Sequence, residues 1–198
     1  MTIPNYITIS RLLISPIFLF FYLKYEAMGI STFGLFFILL SLLTLLEISD
    51  VADGYLARKY HQVSDLGKLL DPMADSIARI TIFLTFTVGL VQLPMILVFV
   101  FLYRDSVSST LRTVCALRGL ALAARWSGKI KAILQAISCY VILLLILFYS
   151  LDLISIEQLQ TTSAWVVTFV AFYAVLSLLD YFYANRRHIQ EMMFSESD

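Results

Sequence analysis

Apolar positions in this chain gather into runs long enough to cross a lipid bilayer, with short polar segments between them. A hydrocarbon core of ~30 Å needs ~20 helical residues. Residues 12–23 form a first span, extended back to residue 7 if Arg11 faces protein or the interface. Residues 27–46 form a clean second span. The 24 residues 80–103 carry no charge, but Gly89, Gln92 and Pro94 interrupt their middle. Such punctuation predicts two helices joined by a tight turn, reaching back to about residue 69 and forward to about residue 104. Residues 132–151 and 158–179 supply the last two spans. The pattern therefore predicts an all-α integral membrane protein with six transmembrane helices. No internal repeat or low-complexity linker divides the 198 residues, so one domain over 1–198 is expected.

Composition agrees with the pattern. Hydrophobic residues make up 60% of the chain and charged residues 14%, against ~25% charged in an average soluble domain. The mean hydropathy is +0.87. Too few polar side chains exist to cover a water-facing globule. The net charge of zero also excludes a nucleic-acid binder relying on overall positive charge. Cys115 and Cys139, without close spacing, define neither a disulfide framework nor a metal site and read as packing residues.

The position of the charges sets an orientation. With six spans, 13 of the 14 basic residues fall on one face, and the opposite face keeps only Lys24. That bias is the positive-inside pattern, and it predicts that both termini are cytoplasmic.

Four acids stand out against the apolar background. Asp50 and Asp53 lie at the end of the second span, Asp71 and Asp75 at the start of the third. Spacings of three and four put each pair on one helix face. Facing carboxylates repel unless protonated or bridged by cations, and Mg²⁺ in particular shares carboxylates with substrate phosphates. A divalent-metal site near the cytoplasmic interface is the physical reading. An acid at a helix N-terminus also suits the macrodipole, which would account for Asp71 and Asp75. It does not account for Asp50 and Asp53, unless their helix runs on past them. Gly54 and Gly67 permit close approach to the backbone, and the Arg58 guanidinium beside them suits an anionic group.

These residues form a known pattern. Asp50, Asp53, Gly54, Ala57, Arg58, Gly67, Asp71 and Asp75 match the signature D-x2-D-G-x2-A-R-x8-G-x3-D-x3-D, and the chain resembles the CDP-alcohol phosphatidyltransferase family from about residue 5 to about residue 135. That family moves a phosphatidyl or similar group from a CDP-linked lipid to an alcohol and releases CMP. The resemblance implies two divalent metal ions, Mg²⁺ or Mn²⁺. Asp50, Asp53 and Asp71 would hold the first, and Asp50, Asp71 and Asp75 the second. Asp75 would also be the base that takes the acceptor's proton. Gly54, Arg58, Gly67 and Ser64 would contact the nucleotide, with Asn5 and Thr8 from the opening N-x-L-T-x-x-R resemblance at Asn5-Tyr6-Ile7-Thr8 and Arg11. The resemblance further implies a homodimer in the cell membrane, with the active site on the cytoplasmic side.

The segment 104–131 guides the choice of acceptor. It carries six basic residues against Asp105, which suits either anionic lipid headgroups at the interface or an acceptor bearing its own phosphate. Arg104-Asp105, Leu111-Arg112, Gly119, Gly128-Lys129-Ile130-Lys131 and Gln135 resemble the corresponding region of the family's phosphatidylglycerophosphate-forming branch. Asp105, Ala132 and Ser76 stand where that branch usually has Glu, Thr and often Lys. The resemblance makes sn-glycerol 3-phosphate the expected acceptor and CDP-diacylglycerol the donor, with Arg112, Arg118, Lys129 and Lys131 at the acceptor phosphate. Inositol, inositol phosphate and phosphatidylglycerol are the alternative acceptors within the same chemistry. Outside it stands a divalent-cation transporter using the same acids, which has no need of Gly54, Arg58 and Gly67 at fixed spacing.

Overall fold

A computed structural model describes residues 3–59, 65–117 and 125–194, with side chains described for residues 8–52, 59, 72–115 and 125–186. Six α-helices account for nearly all of it: α1 (Ile3–Lys24), α2 (Thr32–Lys59), α3 (Asp65–Thr85), α4 (Met95–Leu117), α5 (Trp126–Ser150) and α6 (Ile156–Phe194). The six predicted segments each correspond to one of these helices. Among the described residues, three stretches are long and apolar enough to cross a membrane, Thr32–Ala52, Trp126–Ser150 and Ile156–Arg186.

The helices close into a ring in the order α1, α2, α5, α6, α4, α3, with α3 also touching α5 across the middle. Phe18, Leu39, Phe83, Phe86, Phe101 and Ile142 are fully buried inside it. Small residues at Ala74, Ala78, Ala171 and Ala174 are buried as well, and they allow helices to approach where lipid offers no hydrophobic drive to pack. Many large apolar side chains point outward, among them Leu13, Ile96, Phe169 and Phe172, as a lipid-facing surface requires.

The turn between α3 and α4 falls where the sequence breaks. Gly89 and Gln92 both adopt positive φ, +66° and +49°, and Pro94 precedes the first turn of α4. The Tyr22 hydroxyl reaches across from α1, donating to the Val88 carbonyl and accepting from the Val91 amide, both at 3.0 Å. A Cβ at Gly89 would stand 3.0 Å from Cε1 of Tyr22. Gly89→Ala therefore adds left-handed strain and a clash at once, expected to cost about 1 kcal/mol or more. A thermal midpoint lowered by about 2–4 °C in detergent is the expected result; an unchanged midpoint would show that Tyr22 yields freely.

Two helices outlast the apolar runs that predicted them. The 28 residues of α2 span about 42 Å, so this helix continues beyond the second apolar run and carries Asp50 and Asp53 inside its regular turns. The 39 residues of α6 span about 58 Å, well beyond a hydrocarbon core. Between α5 and α6, Ser155 and Gln158 cap each other: the Gln158 amide donates to Ser155 Oγ at 3.2 Å, and the Ser155 amide to Gln158 Oε1 at 2.9 Å.

Candidate active site at the meeting of α1, α2, α3 and α5

The polar extension of α2 and the charged first half of α3 come together against α1 and α5. A cavity of about 20 Å³ is lined there by Arg11, Glu47, Asp50, Asp75, Arg79 and Cys139, with apolar residues below. That is room for about one water molecule or a single bare ion. Arg11, buried on α1, forms an ion pair with Asp50 Oδ1. Thr8 is buried one turn earlier on the same helix.

Arg79 organises the opposite wall. Its Nη2 donates to Asp75 Oδ1 at 3.0 Å, one helical turn away. Its Nη1 donates to Glu47 Oε1 at 3.3 Å and to the Ala132 carbonyl at 3.2 Å. One guanidinium thereby ties α3 to α2 and α5. The Asp75 side chain keeps 36% of its surface exposed, and its second oxygen has no hydrogen-bond partner among the described residues.

Asp75 also lines a second cavity, of about 440 Å³, bounded by α3, α4 and α5. The far wall holds Arg104, Asp105, Arg112 and Lys131, with several serine and threonine hydroxyls. Lys131 is buried and donates to both oxygens of Asp105, at 2.8 and 3.1 Å. Arg104 Nη1 donates to Asp105 Oδ1 at 3.0 Å, and Ser76 Oγ to its other oxygen at 3.5 Å. Two cations around one carboxylate leave this wall net positive, before Arg112 is counted.

The predicted site residues are distributed as follows. Asp50 and Asp75 line the small cavity together, while Asp53, Gly54 and Arg58 lie in α2 and Gly67 and Asp71 in α3, with side chains outside the described residues. Asn5 lies in α1 on the same terms, and Ser64 and Arg118 fall outside the described residues altogether. Arg112 and Lys131 share the large cavity with Asp75. Lys129 does not; it lines a neighbouring cavity and stands 4.7 Å over the Trp126 ring. Among the described residues no three His, Cys, Asp or Glu side chains are grouped as a metal site. The donors that are described suit one all the same: carboxylate oxygens of Asp50 and Asp75, half-exposed, at a cavity of ionic size, which is hard-cation chemistry.

Glu47 and Arg79 belong to the site without having been singled out by the motif. Glu47 lies three residues before Asp50, and Arg79 four residues after Asp75. Each is one turn deeper on the face that carries the acids, and that helical spacing was the available signal. Cys139, read as a packing residue, is buried beneath this network.

Apolar helices ringed around an interior cluster of carboxylates and guanidiniums define a helical membrane protein with a charged interior. The family model described as CDP-alcohol phosphatidyltransferase matches residues 1–173. A protein of Rickettsia typhi named CDP-diacylglycerol–glycerol-3-phosphate 3-phosphatidyltransferase is 31% identical over 144 residues, covering 72% of this chain and 76% of the relative. A Bacillus subtilis protein of the same name is 32% identical over 192 residues, covering 92% and 94%. A Streptomyces coelicolor protein named cardiolipin synthase (CMP-forming) is 44% identical over 75 residues, covering 38% and 34%. The chain belongs to the CDP-alcohol phosphatidyltransferase family. It is a membrane transferase of phospholipid biosynthesis.

Proposed function

We propose that the protein transfers the phosphatidyl group of CDP-diacylglycerol to sn-glycerol 3-phosphate, giving phosphatidylglycerophosphate and CMP. The observation that carries this reading is the position of Asp75, which lines both the small acidic cavity and the large basic one. A cation at the first, with the donor diphosphate bound outside it, and an acceptor hydroxyl in the second would meet at its carboxylate. The names of the relatives from Rickettsia typhi and Bacillus subtilis and the cationic wall of the large cavity support an acceptor with its own phosphate.

In this reading Asp50, Asp53, Asp71 and Asp75 hold two divalent cations, Mg²⁺ or Mn²⁺, which when bound neutralise the diphosphate and the charge developing at phosphorus. Gly54, Arg58, Ser64 and Gly67, with Asn5 and Thr8, hold the cytidine nucleotide. Asp75 accepts the acceptor's hydroxyl proton. The freed oxygen forms a bond to the phosphorus that carries diacylglycerol, and the bond from that phosphorus to CMP breaks. Arg79 keeps Asp75 turned toward both cavities. Arg112 and Lys131 hold the acceptor phosphate, Lys131 being kept in place by Asp105.

The same reading has six spans, with both termini and the acidic cluster on the cytoplasmic side, supported by the one-sided distribution of Lys and Arg. Its substrates then arrive from opposite phases, the donor from the bilayer and the acceptor from the cytosol.

Arg112→Ala tests the acceptor assignment. The KM for glycerol 3-phosphate is expected to rise about tenfold or more, the weight of a lost charge-assisted hydrogen bond, with the KM for CDP-diacylglycerol unchanged. An unaltered KM for glycerol 3-phosphate would remove Arg112 from the acceptor site.

A further inference from the structure

Two guanidiniums line the small acidic cavity, and they change what its acids can do. Arg11 pairs with Asp50, and Arg79 with Asp75. Within this cavity the two motif acids are therefore matched charge for charge, which leaves no excess to hold a divalent cation. Glu47 is the remaining charged residue of the lining among the described residues. It gives the cavity one negative charge more than the guanidiniums cancel.

That charge stands in a costly place. Glu47 lies one turn deeper than Asp50 in the apolar stretch Thr32–Ala52 of α2. Its outer flank opens on a groove lined by Thr44, Ile48, Val51, Ala52 and Tyr140. An acid inside an apolar span is expensive and is ordinarily retained for function. Its Oε1 accepts from Arg79 Nη1 at 3.3 Å, and the same nitrogen donates to the Ala132 carbonyl at 3.2 Å. Asp75 is held by the other nitrogen, Nη2, at 3.0 Å. The two halves of the Arg79 fork are thus divided between Glu47 and Asp75. If Asp75 gives its charge to a cation, the guanidinium still has a carboxylate to answer it.

We propose that Glu47 is a positioning residue of the metal site, holding the charge of Arg79 so that Asp75 is free to ligate a divalent cation. Asp75 remains the ligand, and Glu47 acts on it through the guanidinium. The inference rests on the two-cation reading above and extends it to a residue outside the eight-position motif. Partners behind the ligands commonly tune metal affinity by about 10–100-fold. A residue that only fastened α2 to α3 would move the thermal midpoint and leave metal affinity alone.

Mn²⁺ alone, titrated into the full-length protein in detergent and followed by the paramagnetic resonance of the free ion, tests this without substrate or turnover. Glu47→Gln, which keeps the shape and removes the charge, is expected to raise the Mn²⁺ Kd about tenfold. Glu47→Asp, which keeps the charge, should recover most of that loss. The double variant Glu47→Gln with Arg79→Met removes one charge of each sign and restores the excess of the cavity. Its Kd should return most of the way to the parent value. An unchanged Kd in Glu47→Gln would overturn the proposal. A double variant as weak as the single one would overturn it too, by making Glu47 a ligand in its own right. If the parent bound no Mn²⁺, the two-cation reading itself would fail and this inference with it.

Discussion

Asp75→Asn is expected to lower CMP release by about 10³-fold while nucleotide binding stays near the parent value, since a positioned general base contributes ~10²–10⁴. Asp75 borders the small acidic cavity on one side and the large basic cavity on the other. The amide keeps the shape and one acceptor oxygen but can neither take a proton nor carry the charge that Arg79 and a cation answer. Single-turnover rates and a cytidine-nucleotide titration, measured on the same preparation, separate the two roles. A loss of less than tenfold would place the base elsewhere. Loss of nucleotide binding together with turnover would make Asp75 chiefly a structural metal ligand.

The second large effect is expected at Arg79, which bonds Asp75, Glu47 and the Ala132 carbonyl at once. Arg79→Ala strands two carboxylates and a carbonyl inside the ring. Breaking a buried pair from one side costs ~3–5 kcal/mol, and the lower figure of about 3 kcal/mol applies here because the two acids keep 36% and 31% of their surface exposed. Activity should fall further than stability accounts for, because Asp75 loses the contact that fixes its direction. The double variant Glu47→Gln with Arg79→Met discriminates. It should recover the part of the thermal midpoint lost through Glu47, since a removed pair is often neutral, without recovering turnover, because Asp75 still lacks its partner. A single Arg79→Ala variant with parental midpoint and kcat would dismiss the network as incidental.

What the sequence made legible, and what it left hidden, divides along physical lines. The break between α3 and α4 was visible because Gly89, Gln92 and Pro94 are turn chemistry, and the positive φ values at Gly89 and Gln92 meet that expectation. The acids of α2 were visible because they fit an apolar span so poorly. The end of α2 was not visible: an apolar run ends at the first charges, whereas the helix continues as long as its backbone bonds do, here to Lys59. The condition under which Asp50 and Asp53 escape the C-terminal dipole, a helix running on past them, is therefore met.

Glu47 and Arg79 stayed hidden for a related reason. A charge near the membrane edge is ordinarily interfacial, and only packing turned Arg79 inward, leaving it 8% exposed. The basic segment 104–131 was read as one patch because sequence gives charge density without facing. Folded, it divides: Lys131 turns into the chamber against Asp105, Lys129 turns out over Trp126, and Arg112 lies on the wall common to both cavities.

The most direct test of the central claim is CMP release from CDP-diacylglycerol by the purified protein in detergent. Glycerol 3-phosphate, inositol, inositol phosphate and phosphatidylglycerol are offered in turn, with Mg²⁺ or Mn²⁺ and after chelation by EDTA. CMP formation with glycerol 3-phosphate is expected well above the other alcohols, abolished by EDTA and restored by either cation. No metal-dependent CMP release with any of these acceptors would contradict it.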